Sequence, residues 1–233
     1  MTNLKNWKMH LPIDNNGLKV GNAKQVTNLV GFESPPYFIQ NPDGSLIFSA
    51  PVDGAKTSSN TKYARSELRE MKGTTEAAWT LKTGGTMEVT TRVDRVPTLK
   101  DGKPGHVVIG QIHGKNDELV RMYREGDGTI NFHCDKYGPK KTETVLKIVD
   151  AKGKQPNVAL GESFSYKIVA EGSDLLVSVS TAGGTYLYSG IGKINSVWQK
   201  DKFYFKAGIY LGVNATQGTG DGQVTLINAI VSH

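Results

Sequence analysis

A chain of 233 residues, 37% hydrophobic and 21% charged, is long enough to bury a substantial core and too ordinary in composition for a disordered or fibrous protein. Its 28 Lys and Arg against 22 Asp and Glu give a formal charge of +6 and suit polyanionic partners, yet no basic run or nucleic-acid motif accompanies that charge. No apolar run approaches the roughly 20 residues that span a bilayer, so no membrane partner is expected. The single cysteine, Cys134, excludes an internal disulfide, and its setting in Ile130-Asn-Phe-His-Cys134 reads as a buried structural thiol.

Residues 4 to 13 alternate between apolar and polar and carry a proline near their end, as a first or edge strand does. The opening Met-Thr-Asn-Leu-Lys-Asn-Trp lacks the apolar segment of a signal peptide, as expected of a cytoplasmic protein or of a mature form with an added initiator methionine. Residues 38 to 51 read as strand, turn and strand around Asn41 to Gly44, and residues 52 to 63 form a polar stretch expected as an exposed loop beside a site. Strands follow at 65–71, 78–82, 86–93, 106–113, 118–124 and 129–134, the last two joined by the hairpin signal Glu125-Gly-Asp-Gly128. Further strands are expected at 142–149, 164–170, 174–181, 185–189, 203–211 and 223–231, and Ile194 to Lys200 is the one plausible short helix. Many short strands without repeat or linker predict one all-β domain over residues 1–233. We expect an antiparallel jelly-roll sandwich with a concave polar groove.

Three stretches carry chemistry on one face. In a strand, alternate side chains share a face, so Tyr204, Lys206, Gly208 and Tyr210 oppose Phe205, Ala207 and Ile209. A glycine in mid-strand marks the close approach of a ligand or another backbone. Arg65, Glu67 and Arg69 share one side of their stretch, as do Gln111 and His113. Taken singly, each has a plainer reading: a solvated charged strand, a half-buried histidine, a core tyrosine with its hydroxyl at the rim. His10, His106, His133 and His233 lack the neighbouring carboxylates or cysteines of a metal site.

In order, Arg65-Ser-Glu-Leu-Arg69, Gln111-Ile-His113 and Tyr204-Phe-Lys-Ala-Gly-Ile-Tyr210 resemble the three signature strands of polysaccharide lyase family seven, the alginate lyases. Asn6-Trp-Lys-Met-His-Leu-Pro-Ile13 and Val107-Val-Ile-Gly-Gln-Ile-His-Gly-Lys115 are similar too, so the resemblance runs over nearly the whole chain. It implies a catalytic set of Arg65, Gln111, His113 and Tyr210, with Glu67, Arg69 and Lys206 as subsite residues and Glu67 orienting both arginines. It also implies β-elimination on alginate, endo action by a monomer, no metal or organic cofactor, and a secreted or periplasmic setting. Ile112 is the version of the second motif that leans toward guluronate-containing blocks. One position departs: the family continues to a glutamine two residues past the tyrosine, where this chain has Gly212. Alternatives are a lyase for another polyuronate such as glucuronan, or a noncatalytic carbohydrate-binding module on the same sandwich.

The residue types suit that chemistry. A lyase takes the C5 proton of a uronate and expels the C4 oxygen, and preorganised donors on the carboxylate stabilise the charge that develops. Arg65 offers a planar fork, Gln111 an amide, and His113 a donor or a base. Tyr210 is the expected acid for the leaving oxygen, with Arg65 or Lys206 expected to lower its pKa.

Overall fold

The computed structural model describes residues 2–137 and 142–233. Alternation of core-facing and outward-facing side chains turns nearly all of these residues into antiparallel strands, which form two large sheets packed face to face as a jelly-roll sandwich. The sheet that carries the site has nine strands. In spatial order its main path is Thr142–Lys147, Ile130–Tyr137, Glu118–Arg124, Val107–His113, Tyr204–Leu211, Arg65–Lys72, Trp7–His10 and Gln25–Val26. The three chemistry-bearing strands are therefore neighbours, with Tyr204–Leu211 at the centre, although the outermost two in sequence lie about 140 residues apart. The opposite sheet of seven strands is built around Gly85–Arg95, Ser163–Glu171 and Asp221–Ser232.

The core lies between the sheets and includes Met9, Phe48, Leu68, Phe132, Tyr166 and Phe205, each under 3% exposed. Burying each such side chain contributes roughly 1.5–3 kcal/mol, which fixes the register of every strand that supplies one. Because Phe205, Ala207 and Ile209 point inward, Tyr204, Lys206 and Tyr210 must point into the concavity. The same parity turns Lys8 and His10 outward opposite Trp7 and Met9, and Arg65 and Glu67 outward opposite Ser66 and Leu68.

Gly208 is where two backbones meet. Its φ is +128°, and a Cβ there would lie 2.7 Å from the Ser66 carbonyl oxygen and 3.1 Å from Glu67 Cα. Of the two reasons for a glycine in this strand, the structure gives the close backbone. The pairing register with Val107–His113 also shifts between Ala207 and Tyr210, a bulge that twists the strand beside the site.

Several element boundaries differ from expectation. The first strand is only Trp7–His10, because Asn3 caps a turn of 3-10 helix at Leu4–Asn6 before it. Residues 78–82 form no strand; Trp79 makes one isolated bridge to Phe203, its indole packed between Phe203 and Phe205. The expected helix is one 3-10 turn, Ser196–Trp198. Strand 142–149 is Thr142–Lys147, and the connection before it at 138–141 lies outside the described residues. Cys134 is buried as expected, with its thiol pushed up to about 12 by that burial.

Candidate active site

Cross-strand pairing assembles the site in rows. Across five adjacent strands, Arg121 stands opposite Gln111, Gln111 opposite Lys206, Lys206 opposite Arg69, and Arg69 opposite Lys8. A line of cations thus crosses the sheet perpendicular to its strands. Flanking rows place Glu118 by His113 and His113 by Tyr204, then Gly208 by Glu67 and Glu67 by His10, then Tyr210 by Arg65. From these rows Lys8, His10, Arg65, Arg69, His113, Glu118, Tyr204, Lys206 and Tyr210 floor a groove of about 530 Å3 whose wall is the loop containing Thr57, Ser58, Asn60 and Thr61, the polar stretch expected beside the site.

Beneath the groove a buried carboxylate holds the cations in place. Glu67 is 1% exposed and accepts from Lys206 Nζ at 2.6 Å, Arg65 Nη1 at 3.0 Å and Gln111 Nε2 at 2.5 Å. Burial alone would raise its pKa, but Lys206 and Arg65 outweigh burial and hold it below the usual carboxylate range. Lys206 is itself 3% exposed, and its pKa is lowered to about 8 by burial and by Arg65. The polar face of this sheet is therefore an ion-pair layer with little solvent in it. Glu67 does not orient both arginines, as expected from the sequence: Arg69 pairs with Glu76 at 3.0 Å instead, and Glu76 also accepts from Lys8 at 2.6 Å. Gln111 is fully buried, donates to Glu67, and does not line the groove.

His113 and Tyr210 flank the open space. The His113 Nδ1–H donates to the Gly114 carbonyl at 2.6 Å; a carbonyl can only accept, so Nε2 carries the lone pair. Burial, and then Lys206, lower its pKa to about 4, which keeps the ring unprotonated and its lone pair available near neutral pH. Its ring stacks on Tyr204 at 5.0 Å, and Arg69 lies 3.8 Å above the Tyr204 ring. Tyr210 is half-buried, with the Arg65 guanidinium carbon 3.9 Å from its ring centre and Tyr63 edge-on at 6.0 Å. Its pKa is raised, contrary to the sequence expectation: Arg65 does pull it down, but desolvation of the phenol is the larger effect. Tyr210 therefore rests as a protonated acid.

Sequence reasoning missed Glu118 and His10. Glu118 Oε1 is 3.5 Å from His113 Nε2, and burial pushes its carboxyl up to about 7. His10 lies 8% exposed among Lys206, Arg65 and Lys8; burial and these cations lower it to about 3, so it stays neutral. Both sat on strands with visible alternation, but nothing in their own stretches marked the outward face as chemical. Among the described residues, no three His, Cys, Asp or Glu side chains are gathered as a metal ion would require.

The family model for alginate lyase matches residues 2–233, the chain almost end to end. The chain belongs to the alginate lyase family. It is an enzyme of the polysaccharide lyase class, as the motif resemblance implied. An alginate lyase from Klebsiella pneumoniae is 32% identical over 250 residues, spanning 89% of this chain and 81% of that protein. The crystal structure of the alginate lyase from Klebsiella pneumoniae superposes with a TM-score of 0.83 at 27% identity, covering 99% of this chain and 96% of that one. A family 7 alginate lyase, A1-II', solved in complex with a substrate designated GGMG, superposes with a TM-score of 0.75 at 26% identity, covering 99% and 93%. Known alginate lyases thus share this fold over almost the whole chain.

Proposed function

We propose that this chain cleaves alginate by β-elimination, as a monomer acting within the polymer, in a secreted or periplasmic setting, with preference for guluronate-containing blocks. The observation that carries this reading is the juxtaposition, in one groove crossed by a row of cations, of a neutral histidine with a bare Nε2 and a protonated tyrosine beside Arg65. The groove runs along the polymer, and the cations Lys8, Arg69 and Lys206 attract its carboxylates. Arg65 faces the carboxylate of the residue being cleaved and stabilises the charge that flows onto it as the C5 proton leaves. His113 Nε2 accepts the C5 proton of guluronate, the C5–H electrons form the C4=C5 double bond, the C4–O bond breaks, and Tyr210 gives its proton to the departing oxygen. No co-reactant is consumed, since the proton removed and the proton supplied balance. Gln111 acts from below by holding Glu67, and through it Arg65. Ile112 faces the core at 0% exposure, so its link to block preference runs through the placement of Gln111 and His113 rather than through contact.

The purified protein is expected to generate the ultraviolet chromophore of an unsaturated uronate from alginate, with faster initial rates on guluronate-rich than on mannuronate-rich polymer. New reducing ends without the chromophore would mean hydrolysis, and binding without new ends would mean a noncatalytic module. Turnover of glucuronan in preference to alginate would reassign the substrate.

Glu118 sets an expectation for pH. While protonated, its hydroxyl competes for the lone pair of His113 Nε2; once ionised, it leaves that lone pair bare and favours the imidazolium formed by proton abstraction. The charged and titratable neighbours of Glu118 are His113 and Asp135 on the two adjoining strands, Arg121 on its own strand, and Lys206 and Tyr210 one strand beyond His113. The acid limb of kcat should therefore lie near 7 in the native enzyme, following Glu118, and move down toward the His113 value near 4 in Glu118→Gln. An acid limb that stays in place in the variant would uncouple Glu118 from the base.

A further inference from the structure

The concavity continues past Tyr210. Beyond that ring lies a second basin of about 420 Å3, and Tyr210 and Asn60 border both spaces. Its distinctive residue is His106. A Cβ at position 212 would coincide with the His106 imidazole, so the ring occupies space that only a glycine at 212 leaves open. The departure from the family pattern at Gly212 is therefore an exchange of one side chain for another. The ring is held in place: the Gly212 N–H donates to the His106 carbonyl at 3.1 Å, and the imidazole meets Tyr123 edge-on at 5.6 Å. Tyr123 in turn lies 4.1 Å from the His133 ring.

The chemistry of this lining suits a sugar acid. Neither His106 ring nitrogen has a hydrogen-bond partner among the described residues, which leaves one donor and one acceptor free on a ring that borders the basin. Tyr63, half-buried, offers an apolar face with a polar edge, the surface a pyranose ring packs against, and Tyr123 is buried behind His106. Positive charge comes from Arg121, which borders the basin together with Glu143; burial lowers the His133 pKa, but the Glu125 and Glu143 carboxylates outweigh burial and raise it. Lys62 stands exposed at the rim.

We propose that this basin is a subsite for a further hexuronate residue of the same polymer chain, with His106, admitted by Gly212, as its hydrogen-bonding residue. The proposal rests on the lyase reading, because it is the substrate bound across Tyr210 that reaches the basin. The test uses defined oligouronates of increasing length. The native enzyme should gain about tenfold in kcat/KM, mostly in KM, at the length that first fills the basin, the equivalent of about 1.4 kcal/mol. His106→Ala and Gly212→Ala should both lose that step, the first by deleting the ring and the second by evicting it, and His106→Asn should recover part of it. Thermal unfolding of each variant checks that the fold is kept. A length step of native size in folded His106→Ala would overturn the proposal. Failure of the native enzyme to yield unsaturated product at any length would instead overturn the lyase reading.

Discussion

Replacing Tyr210 by phenylalanine is expected to lower kcat/KM on alginate by about 10²–10⁴-fold, the range for loss of a positioned acid, while leaving the fold and most of KM intact. Only the hydroxyl is removed; the Tyr210 ring keeps its packing on Arg65 and Tyr63. The companion variant His113→Ala should divide the two block types. In mannuronate the C5 proton and the C4 oxygen lie on the same side of the ring, and in guluronate on opposite sides. One tyrosine can serve both atoms in the first case only, so guluronate requires a second group as base, and neutral His113 with its bare Nε2 is that group. His113→Ala should therefore cost about 10²-fold or more on guluronate and roughly tenfold on mannuronate. The raised Tyr210 pKa adds a consequence, since acting as base on mannuronate requires the phenolate. Mannuronate cleavage should have the more alkaline pH optimum. Equal proportional losses on the two homopolymers in folded His113→Ala would leave His113 as a carboxylate donor with no separate role as base.

The sheet strands and the outward faces of the three motifs were legible because a period of two is a local property: Phe205, Ala207 and Ile209 declare the core side, and Tyr204, Lys206 and Tyr210 follow. Partners across the sheet were not legible. Which cation joins Arg65 on Glu67 depends on the register between strands about 140 residues apart in sequence, and that register gives it Lys206 while Arg69 goes to Glu76. The same holds for burial. Alternation predicted one dry face and one wet face, but the ion-pair layer dries the second face as well. That drying reverses the expected shift of Tyr210 and turns Lys206 from a surface charge into a buried one. Residues 78–82 alternate like a strand but are recruited by Trp79 packing on Phe203 and Phe205, a tertiary demand that alternation cannot reveal.

Glu67→Gln is expected to be the most destabilising single change in the site, by about 3–5 kcal/mol near neutral pH, because it leaves two buried cations without their counter-charge. The pH dependence has a definite sign. The folded-state pKa of Glu67 lies below its unfolded value near 4.5, so its contribution is complete above that pH and is lost as pH falls through the folded value. Urea unfolding of native and Glu67→Gln proteins should therefore differ most at pH 6 to 7 and converge in acid, and equal midpoints at neutral pH would show that the cluster adds nothing to stability. Removing all three charges tests what the cluster is for. Arg65→Met, Glu67→Leu and Lys206→Met together delete both the desolvation cost and the attraction, and such replacements of a buried charge triad range from neutral to stabilising by about 1–4 kcal/mol. The triple variant should fold at least as stably as the native chain and show no lyase activity. A triple variant less stable than Glu67→Gln would mean that the buried ions hold the sheet together. The expected result would mean that the chain keeps charge under its groove, at some cost in stability, to hold Arg65 against Tyr210.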